Sequence, residues 1–218
     1  MTEMTANAAN GVTSLAKPRG ESVTLRTVRR FRRHKLAVMA LGLLVVIVLM
    51  AIFADVITRY PYEQVDLRAR SSPPSAEHWF GTDRVGRDVW SRMVYGARVS
   101  LAVGLGATAL STVIGVIVGS VAGFYGKWVD MLLMRITDVV LTFPSIVIML
   151  TLAALLPRTI WAIVFVIGIL GWPAVARLVR AQFLSLKEQE YVLAARSIGV
   201  SNTRIMFIHI LPNVIAPL

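Results

Sequence analysis

The sequence has 218 residues, of which 56% are hydrophobic and only 16% are charged, and its formal net charge is +11. A soluble domain carries about 25% charged residues, and here the apolar residues form long continuous runs. The composition therefore indicates an all-α, polytopic transmembrane helical bundle and argues against a soluble enzyme. The absence of cysteine excludes disulfides, thiolate catalysis and cysteine metal sites.

The N-terminal 35 residues are predicted to be a basic cytoplasmic tail. They carry eight Lys or Arg residues and two Glu, and such a segment resists translocation across a membrane. The excess of positive charge therefore indicates how the chain is oriented in the membrane. We expect the chain to contact a lipid bilayer and not to bind nucleic acid. Residues 36–57 follow as an N-terminal anchor helix, because their apolar run exceeds a signal-peptide core of about 7–15 residues.

Residues 58–98 are predicted to form an extracytoplasmic loop that ends in an amphipathic helix. Within this loop, glycines suit turns and an acid precedes the helix, where it favours the helix dipole. A metal site built from His78, Asp83 and Asp88 is conceivable, but a structural cap over the bundle is the favoured interpretation, and no metal is expected. The motif consists of Gly81, Thr82, Asp83, Gly86, Arg87 and Asp88.

Three further apolar segments are long enough to span a bilayer: 99–126, 139–156 and 159–176. They lack the alternation of apolar and polar residues that a transmembrane barrel requires. The first segment has small residues at four-residue spacing, which predicts close helix packing and leaves open whether that face is fixed or slides. This helix-packing stripe comprises Ala107, Ser111, Gly115, Gly119 and Gly123.

Two charges precede the segment 139–156. Arg135 and Asp138 are three residues apart and are predicted to pair on one helix face, either as an interfacial ion pair or as a gating or substrate contact. Pro144 lies beyond them and is predicted to kink the helix.

Residues 177–204 form a polar segment between two apolar ones. Glu190 and Arg196 stand near the two ends of a predicted short helix, where each matches the helix dipole. Gly199 is placed to close that helix, and Ser201 or Asn202 can cap the next one. This shape suits docking into a partner's groove, although an ordinary amphipathic connector has the same pattern.

Residues 190–212 resemble the cytoplasmic coupling loop of bacterial ABC-importer permeases, whose pattern is Glu-Ala-Ala, three residues, Gly, nine residues, Ile-x-Leu-Pro. Ala194, Ala195, Gly199, Leu211 and Pro212 match that pattern, whereas Leu193 replaces the Glu and His209 replaces the Ile. The outer-loop motif, Tyr-Gly-Ala-Arg-Val-Ser at 95–100 and Lys-Glu-Gln-Glu-Tyr-Val at 187–192 extend the likeness. Over residues 25–218 the sequence resembles the second permease subunit, C-type, of dipeptide, oligopeptide and nickel importers.

The resemblance implies a permease transmembrane domain over 99–218, with a coupling loop at 177–204 and the start of a fifth span at 205–218. Family members continue through two further helices, so we expect this chain to represent a fragment or a truncated product. The residues expected to couple to an ATPase are Glu190, Leu193, Ala194, Ala195, Arg196, Gly199, Asn202, Leu211 and Pro212.

The resemblance also implies the partners: a second permease subunit in a heterodimer, two ATP-binding subunits and an extracytoplasmic substrate-binding protein. ATP and Mg²⁺ would be bound by the partner ATPase, since Gly126-Lys127-Trp128 lacks the Ser or Thr of a phosphate-binding loop. No nucleophile–base pattern is present, so no cofactor and no catalytic residue is expected in this chain. The expected location is the bacterial inner membrane, multi-pass, with a cytoplasmic N-terminus.

Two alternatives remain open at this point. One is a nickel or other small-solute importer permease of the same family. The other is a secondary transporter driven by an ion gradient, which would have broken helices with charges near the membrane midplane. The sequence shows neither feature within its spans, and this disfavours the secondary transporter. A third possibility, an anchored interaction protein whose outer loop binds a ligand, leaves the four spans and the docking loop unexplained.

Overall fold

The structure is a computed structural model that describes Arg29 and residues 31–215. The predicted basic tail therefore lies almost entirely outside the described residues. Within the described part the chain is helical, and its only extended pairing is an isolated bridge between Thr82 and Asp88. This confirms the predicted all-α class.

The chain divides into two compact units, Met1–Leu49 and Met50–Leu218. Helix α1, Lys35–Ile52, consists of apolar residues from Leu36 onward. It meets the length and composition that a bilayer span requires. The second unit contains all the remaining elements.

The segment that follows α1, residues 53–88, contains little regular structure. It begins with the one-turn helix α2, Ala54–Ile57, and contains a 3₁₀ turn, Leu67–Ala69, in which the side chain of Asp66 accepts a hydrogen bond from the backbone N–H of Arg68. Gly81 and Gly86 have positive φ angles of 71° and 80°, as their predicted turns require. A Cβ on Gly86 would lie 1.7 Å from the carbonyl oxygen of Asp66, so no other residue fits that turn.

Helix α3 runs from Val89 to Tyr125 and is 37 residues long. At 1.5 Å per residue this is about 55 Å, well beyond the hydrocarbon core of about 30 Å. The predicted amphipathic helix after Asp88 and the predicted span 99–126 are therefore one continuous helix. The expectation of two separate elements was wrong, because charges such as Arg92 can extend into water without ending the helix.

The predicted span 139–156 is divided between two helices. Helix α4 is Lys127–Thr142 and helix α5 is Ser145–Leu155. Their axes differ by 77°. Pro144 precedes α5, so the predicted kink is a complete break, and the expectation of unbroken spans is contradicted here. The break follows from the missing N–H of proline and from its clash with the preceding turn.

Helix α6, Ile160–Leu186, packs along α3 and forms the centre of the second unit. Then come α7, Glu190–Ser197, and the single turn α8, Asn202–Arg204. A π-helix, Ile205–Ile210, continues into α9, Leu211–Ile215. Pro212 explains the wide turn, since it cannot donate to the carbonyl four residues earlier, and Leu211 instead donates to Met206, five residues back.

The small-residue stripe of α3 faces α6. All five of its residues are buried. A Cβ on Gly119 would lie 2.4 Å from the carbonyl oxygen of Ala176 and 2.8 Å from Cβ of Val179. The stripe therefore brings the two helix backbones together at a separation that side chains would prevent, as in other small-residue contacts.

Candidate functional site

The segment with the coupling-loop pattern forms helix α7 and a tight turn. Glu190 lies in the first turn of α7 and Arg196 in the last, so each charge matches the helix dipole. Gly199 has φ +78° and donates to the carbonyl of Arg196 at 2.9 Å, while Val200 donates to the carbonyl of Ala195 at 3.1 Å. This pair of bonds is a Schellman motif, which ends the helix and reverses the chain direction.

One face of α7 is fixed to the rest of the second unit. Val192 and Ala195 are buried in an apolar cluster with residues from α3, α6, the π-helix and α9. Arg196 adds a cation–π contact, with its guanidinium carbon 5.6 Å from the centre of the Phe124 ring. The remaining members of the cluster are Phe124, Val179, Phe183, Ile205, Met206, Ile210 and Val214.

The opposite face of α7 is exposed and partly apolar. Leu193 is 45% exposed, and Ile198, which directly follows the last residue of α7, is 80% exposed. Leu193 occupies the position at which the family pattern has Glu, so this position presents an apolar contact rather than a charge. An exposed apolar surface on a helix that is anchored from behind is suited to contact with another protein.

The other predicted coupling residues lie at the edges of this surface. Ala194 and Asn202 are exposed, whereas Leu211 is half-buried against the apolar cluster and Pro212 is exposed in α9. The N-cap of α8 is Ser201, but its side chain makes no capping hydrogen bond, and Asn202 is already inside the helix. The expected side-chain cap at this position was therefore wrong.

The predicted pair of Arg135 and Asp138 does not form. Asp138 Oδ1 instead accepts a hydrogen bond from Arg177 Nη2 at 2.6 Å, across from α6. Arg135 is exposed on α4. The spacing of three residues permitted a local pair, but packing of α4 against α6 supplies a better partner for the carboxylate.

A second ion pair joins the same helices. Arg180 donates to both carboxylate oxygens of Asp130, through Nε to Oδ1 and through Nη2 to Oδ2 at 2.6 Å. The sequence analysis did not connect these residues, which are 50 positions apart. The sequence did contain a signal for these ion pairs. Two acids lie eight residues apart on one helix, and two arginines lie three residues apart on another.

The outer-loop motif forms a hydrogen-bonded cap around the start of α3. Asp88 accepts from the N–H of Ser91 at 2.7 Å, and its other oxygen lies 2.9 Å from Nδ1 of His78. Burial raises the pKa of Asp88, but these two hydrogen bonds outweigh it and hold the pKa below its ordinary value. Thr82 joins the cap by accepting from the N–H of Ser72 at 2.9 Å.

Asp83 organises the preceding turn. It accepts from the backbone N–H groups of Arg87 and Val85 and from the guanidinium groups of Arg87 and Arg92. The hydrogen bond from the Arg87 backbone, with the other three, holds the pKa of Asp83 well below its ordinary value. Because Asp83 faces these arginines, it does not join His78 and Asp88. Among residues 31–215, no three His, Cys, Asp or Glu side chains are grouped to hold a metal ion.

Arg98 was not singled out in the sequence, yet it ties α3 to the end of α1. Its Nε donates to the carbonyl of Ala51 at 2.8 Å, and its Nη2 donates to Ile52 and to Asp55, each at 3.0 Å. These bonds satisfy carbonyls that the end of a helix leaves without a partner.

Residues 115–218 match the family of binding-protein-dependent transport system inner membrane components. Residues 22–74 match the N-terminal transmembrane domain of oligopeptide transport permease C. The first match covers the last third of α3, the broken pair, α6 and the coupling segment.

Individual relatives cover more of the chain. The chain is 45% identical over 184 residues to the oligopeptide transport system permease protein OppC of Bacillus subtilis, which covers 84% of this chain and 60% of the relative. It is 43% identical over 190 residues to the dipeptide transport system permease protein DppC of Alkalihalophilus pseudofirmus, covering 87% and 62%. A putative peptide transport system permease protein of Brucella abortus is 42% identical over 199 residues, covering 91% and 67%.

The chain thus spans about 60% of the length of the first two relatives. Apolar helices long enough to cross a membrane, the coupling segment and these matches agree with one another. The chain belongs to the family of binding-protein-dependent transport system inner membrane components, within the group of oligopeptide and dipeptide permeases.

Proposed function

We propose that this chain is a transmembrane permease subunit of an ATP-binding-cassette importer. In this proposal it forms part of the translocation pathway for dipeptides or oligopeptides and couples that pathway to a separate ATPase. The similarity to peptide permeases supports the substrate class. The chain does no chemistry itself, and ATP and Mg²⁺ are bound by the partner.

The observation that supports the proposal is how α7 packs against the rest of the second unit. Its inner face is buried against α3, α6 and the π-helix, while Leu193 and Ile198 project outward. A force applied to the outer face is therefore transmitted to α6 through a packed core, which deforms little. Such a contact biases a two-state pathway when an ATPase binds one state better than the other.

The proposed assembly contains a second permease subunit, two ATP-binding subunits and an extracytoplasmic substrate-binding protein. The chain lies in the bacterial inner membrane with its N-terminus in the cytoplasm, which places α7 on the same side as the ATPase. The orientation rests on the basic residues of the tail and of the segment 177–204.

An ion-gradient-driven carrier is the second candidate, and the 77° break between α4 and α5 favours it, since such carriers use broken helices. Transport assays separate the two functions. Uptake into vesicles that requires ATP and persists when the ion gradients are collapsed supports the importer. Uptake that follows the gradient without ATP contradicts it.

Docking is tested by co-purification of this chain with the proposed ATP-binding subunits. Ile198→Glu places a charge on the exposed face, and Gly199→Val opposes the positive φ; both should abolish association. Gly199→Asn is the matched control, because Asn tolerates this backbone conformation and a Cβ here meets no atom within 4 Å. Equal recovery of the ATPase with all three variants would exclude α7 as the docking element. No recovery with the unmodified chain would contradict the importer proposal itself.

A further inference from the structure

Two ion pairs connect α4 with α6, and they use the same residue types. Asp130 pairs with Arg180, and Asp138 pairs with Arg177. The acids are eight residues apart on α4, and the arginines are three apart on α6. The two pairs therefore lie on the same helix–helix contact and differ mainly in their position along the two helices.

The Asp138–Arg177 pair lies further from the proposed cytoplasmic end of these helices than the Asp130–Arg180 pair. Helix α6 begins at Ile160, directly after the Pro157-Arg158 turn. At 1.5 Å per residue, Arg177 is about 26 Å and Arg180 about 30 Å from that end, whereas the hydrocarbon core is about 30 Å thick. With the hydrocarbon core taken to begin at Ile160, Arg180 is level with its far boundary, and Arg177 lies about 4.5 Å inside that boundary.

The Asp138–Arg177 pair is nevertheless the more exposed of the two pairs. The side chains of Asp130 and Arg180 are 16% and 33% exposed, but those of Asp138 and Arg177 are 48% and 53% exposed. A charge that faces hydrocarbon is unfavourable, and the cost increases toward the bilayer centre. Charged groups within membrane-spanning helices almost always face a water-filled space or other protein, and they often mark a substrate path.

The hydrogen bonding of the two pairs also differs. Asp130 and Arg180 are joined by two bonds, so both carboxylate oxygens are used. Asp138 and Arg177 are joined by one bond. Within residues 31–215, Oδ2 of Asp138 and the Nε and Nη1 groups of Arg177 have no hydrogen-bond partner. The Asp138–Arg177 pair therefore offers one free acceptor and free guanidinium donors side by side.

A zwitterionic ligand complements this pair. A peptide with free ends carries an ammonium group, which donates hydrogen bonds to a carboxylate, and a carboxylate, which accepts them from a guanidinium group. We propose that Asp138 and Arg177 line the translocation pathway, where Asp138 binds the amino terminus and Arg177 the carboxyl terminus of a passing peptide. This inference rests on the proposed function and specifies a contact site within it.

The test measures uptake by the complete importer reconstituted in vesicles with ATP. One tripeptide is supplied with free ends, with an acetylated amino terminus and with an amidated carboxyl terminus. The unmodified importer should prefer the free peptide over each blocked form by about tenfold, the ratio expected for one charge-assisted hydrogen bond. Asp138→Asn should remove only the preference for the free amino terminus. Arg177→Gln should remove only the preference for the free carboxyl terminus.

Asp130→Asn and Arg180→Gln are the matched controls, since they break an equivalent pair outside the proposed path. They should leave both preferences unchanged, whatever they do to total uptake. Asp138→Glu keeps the charge and should retain the preference for the free amino terminus. A uniform decrease for all three peptides in Asp138→Asn and Arg177→Gln would show that the pair only braces the helices and would overturn the inference.

Failure of the proposed function gives a different result. An unmodified importer that takes up none of the three peptides with ATP overturns the peptide assignment and this inference together. An unmodified importer that takes up all three equally overturns this inference alone.

Discussion

Substitution of Gly119 by Ala tests whether the contact between α3 and α6 depends on close backbone approach. Alanine favours a helix over glycine by about 0.8–1.0 kcal/mol in a helix interior. At this position the added Cβ would lie 2.4 Å from the carbonyl oxygen of Ala176, and a backbone atom cannot move aside as a flexible side chain can. Overpacking of this kind costs about 1–3 kcal/mol. We therefore expect a net loss of up to about 2 kcal/mol.

Gly104 on the same helix provides the control, because a Cβ there meets nothing within 4 Å. Gly104→Ala should raise the free energy of unfolding by the helix-propensity term alone. Thermal unfolding in detergent measures both variants, and about 1 kcal/mol corresponds to roughly 2–4 °C in a chain of this size. The two substitutions should shift Tm in opposite directions. A Gly119→Ala protein as stable as Gly104→Ala would refute close packing at the stripe.

Two further predictions concern Asp83 and Arg98. Because the folded-state pKa of Asp83 lies below its ordinary value of 3.8, its carboxylate stabilises the fold above that pH, and the contribution is lost as pH falls through the folded-state pKa. Asp83→Asn should therefore lower Tm at pH 7, and the difference from the unmodified protein should shrink in acid; a difference independent of pH would contradict this. Arg98→Lys should destabilise the protein by about 1 kcal/mol or more, because an ammonium group cannot reproduce the fork that reaches Ala51, Ile52 and Asp55. Arg84→Lys, at an exposed residue without a bonded partner among residues 31–215, should leave Tm unchanged, and equal Tm values for the two variants would exclude the proposed role of Arg98.

Local features of the chain could be predicted where a single residue type meets a single backbone requirement. Gly199 follows a helix with an acid in its first turn and a base in its last, and this pattern led to the observed helix end. The stripe on α3 could be placed because four-residue spacing puts small residues on one helix face. In both cases the deciding interactions span only a few residues.

The features that the sequence did not reveal depend on packing between distant segments. The partner of Asp138 is 39 residues away, and that of Asp130 is 50 away, so spacing along one helix could not identify either. The predicted span 99–126 was shorter than α3, because hydropathy identifies only the part of a helix that lies in lipid. The helix itself begins directly after Asp88. Pro144 indicated a kink, but the 77° angle depends on where α5 packs.

The π-helix at Ile205–Ile210 has a consequence for how this segment tolerates changes in length. Its wide turn contains one residue more than an α-helical turn, and one residue corresponds to a rotation of about 100° around a helix. The extra residue is absorbed within the turn, so that Ile205 at its start and Val214 after it both face the apolar cluster. Loss of one residue inside the turn would restore a regular helix with both faces still in place. The same loss within α3 would rotate half of the small-residue stripe away from α6.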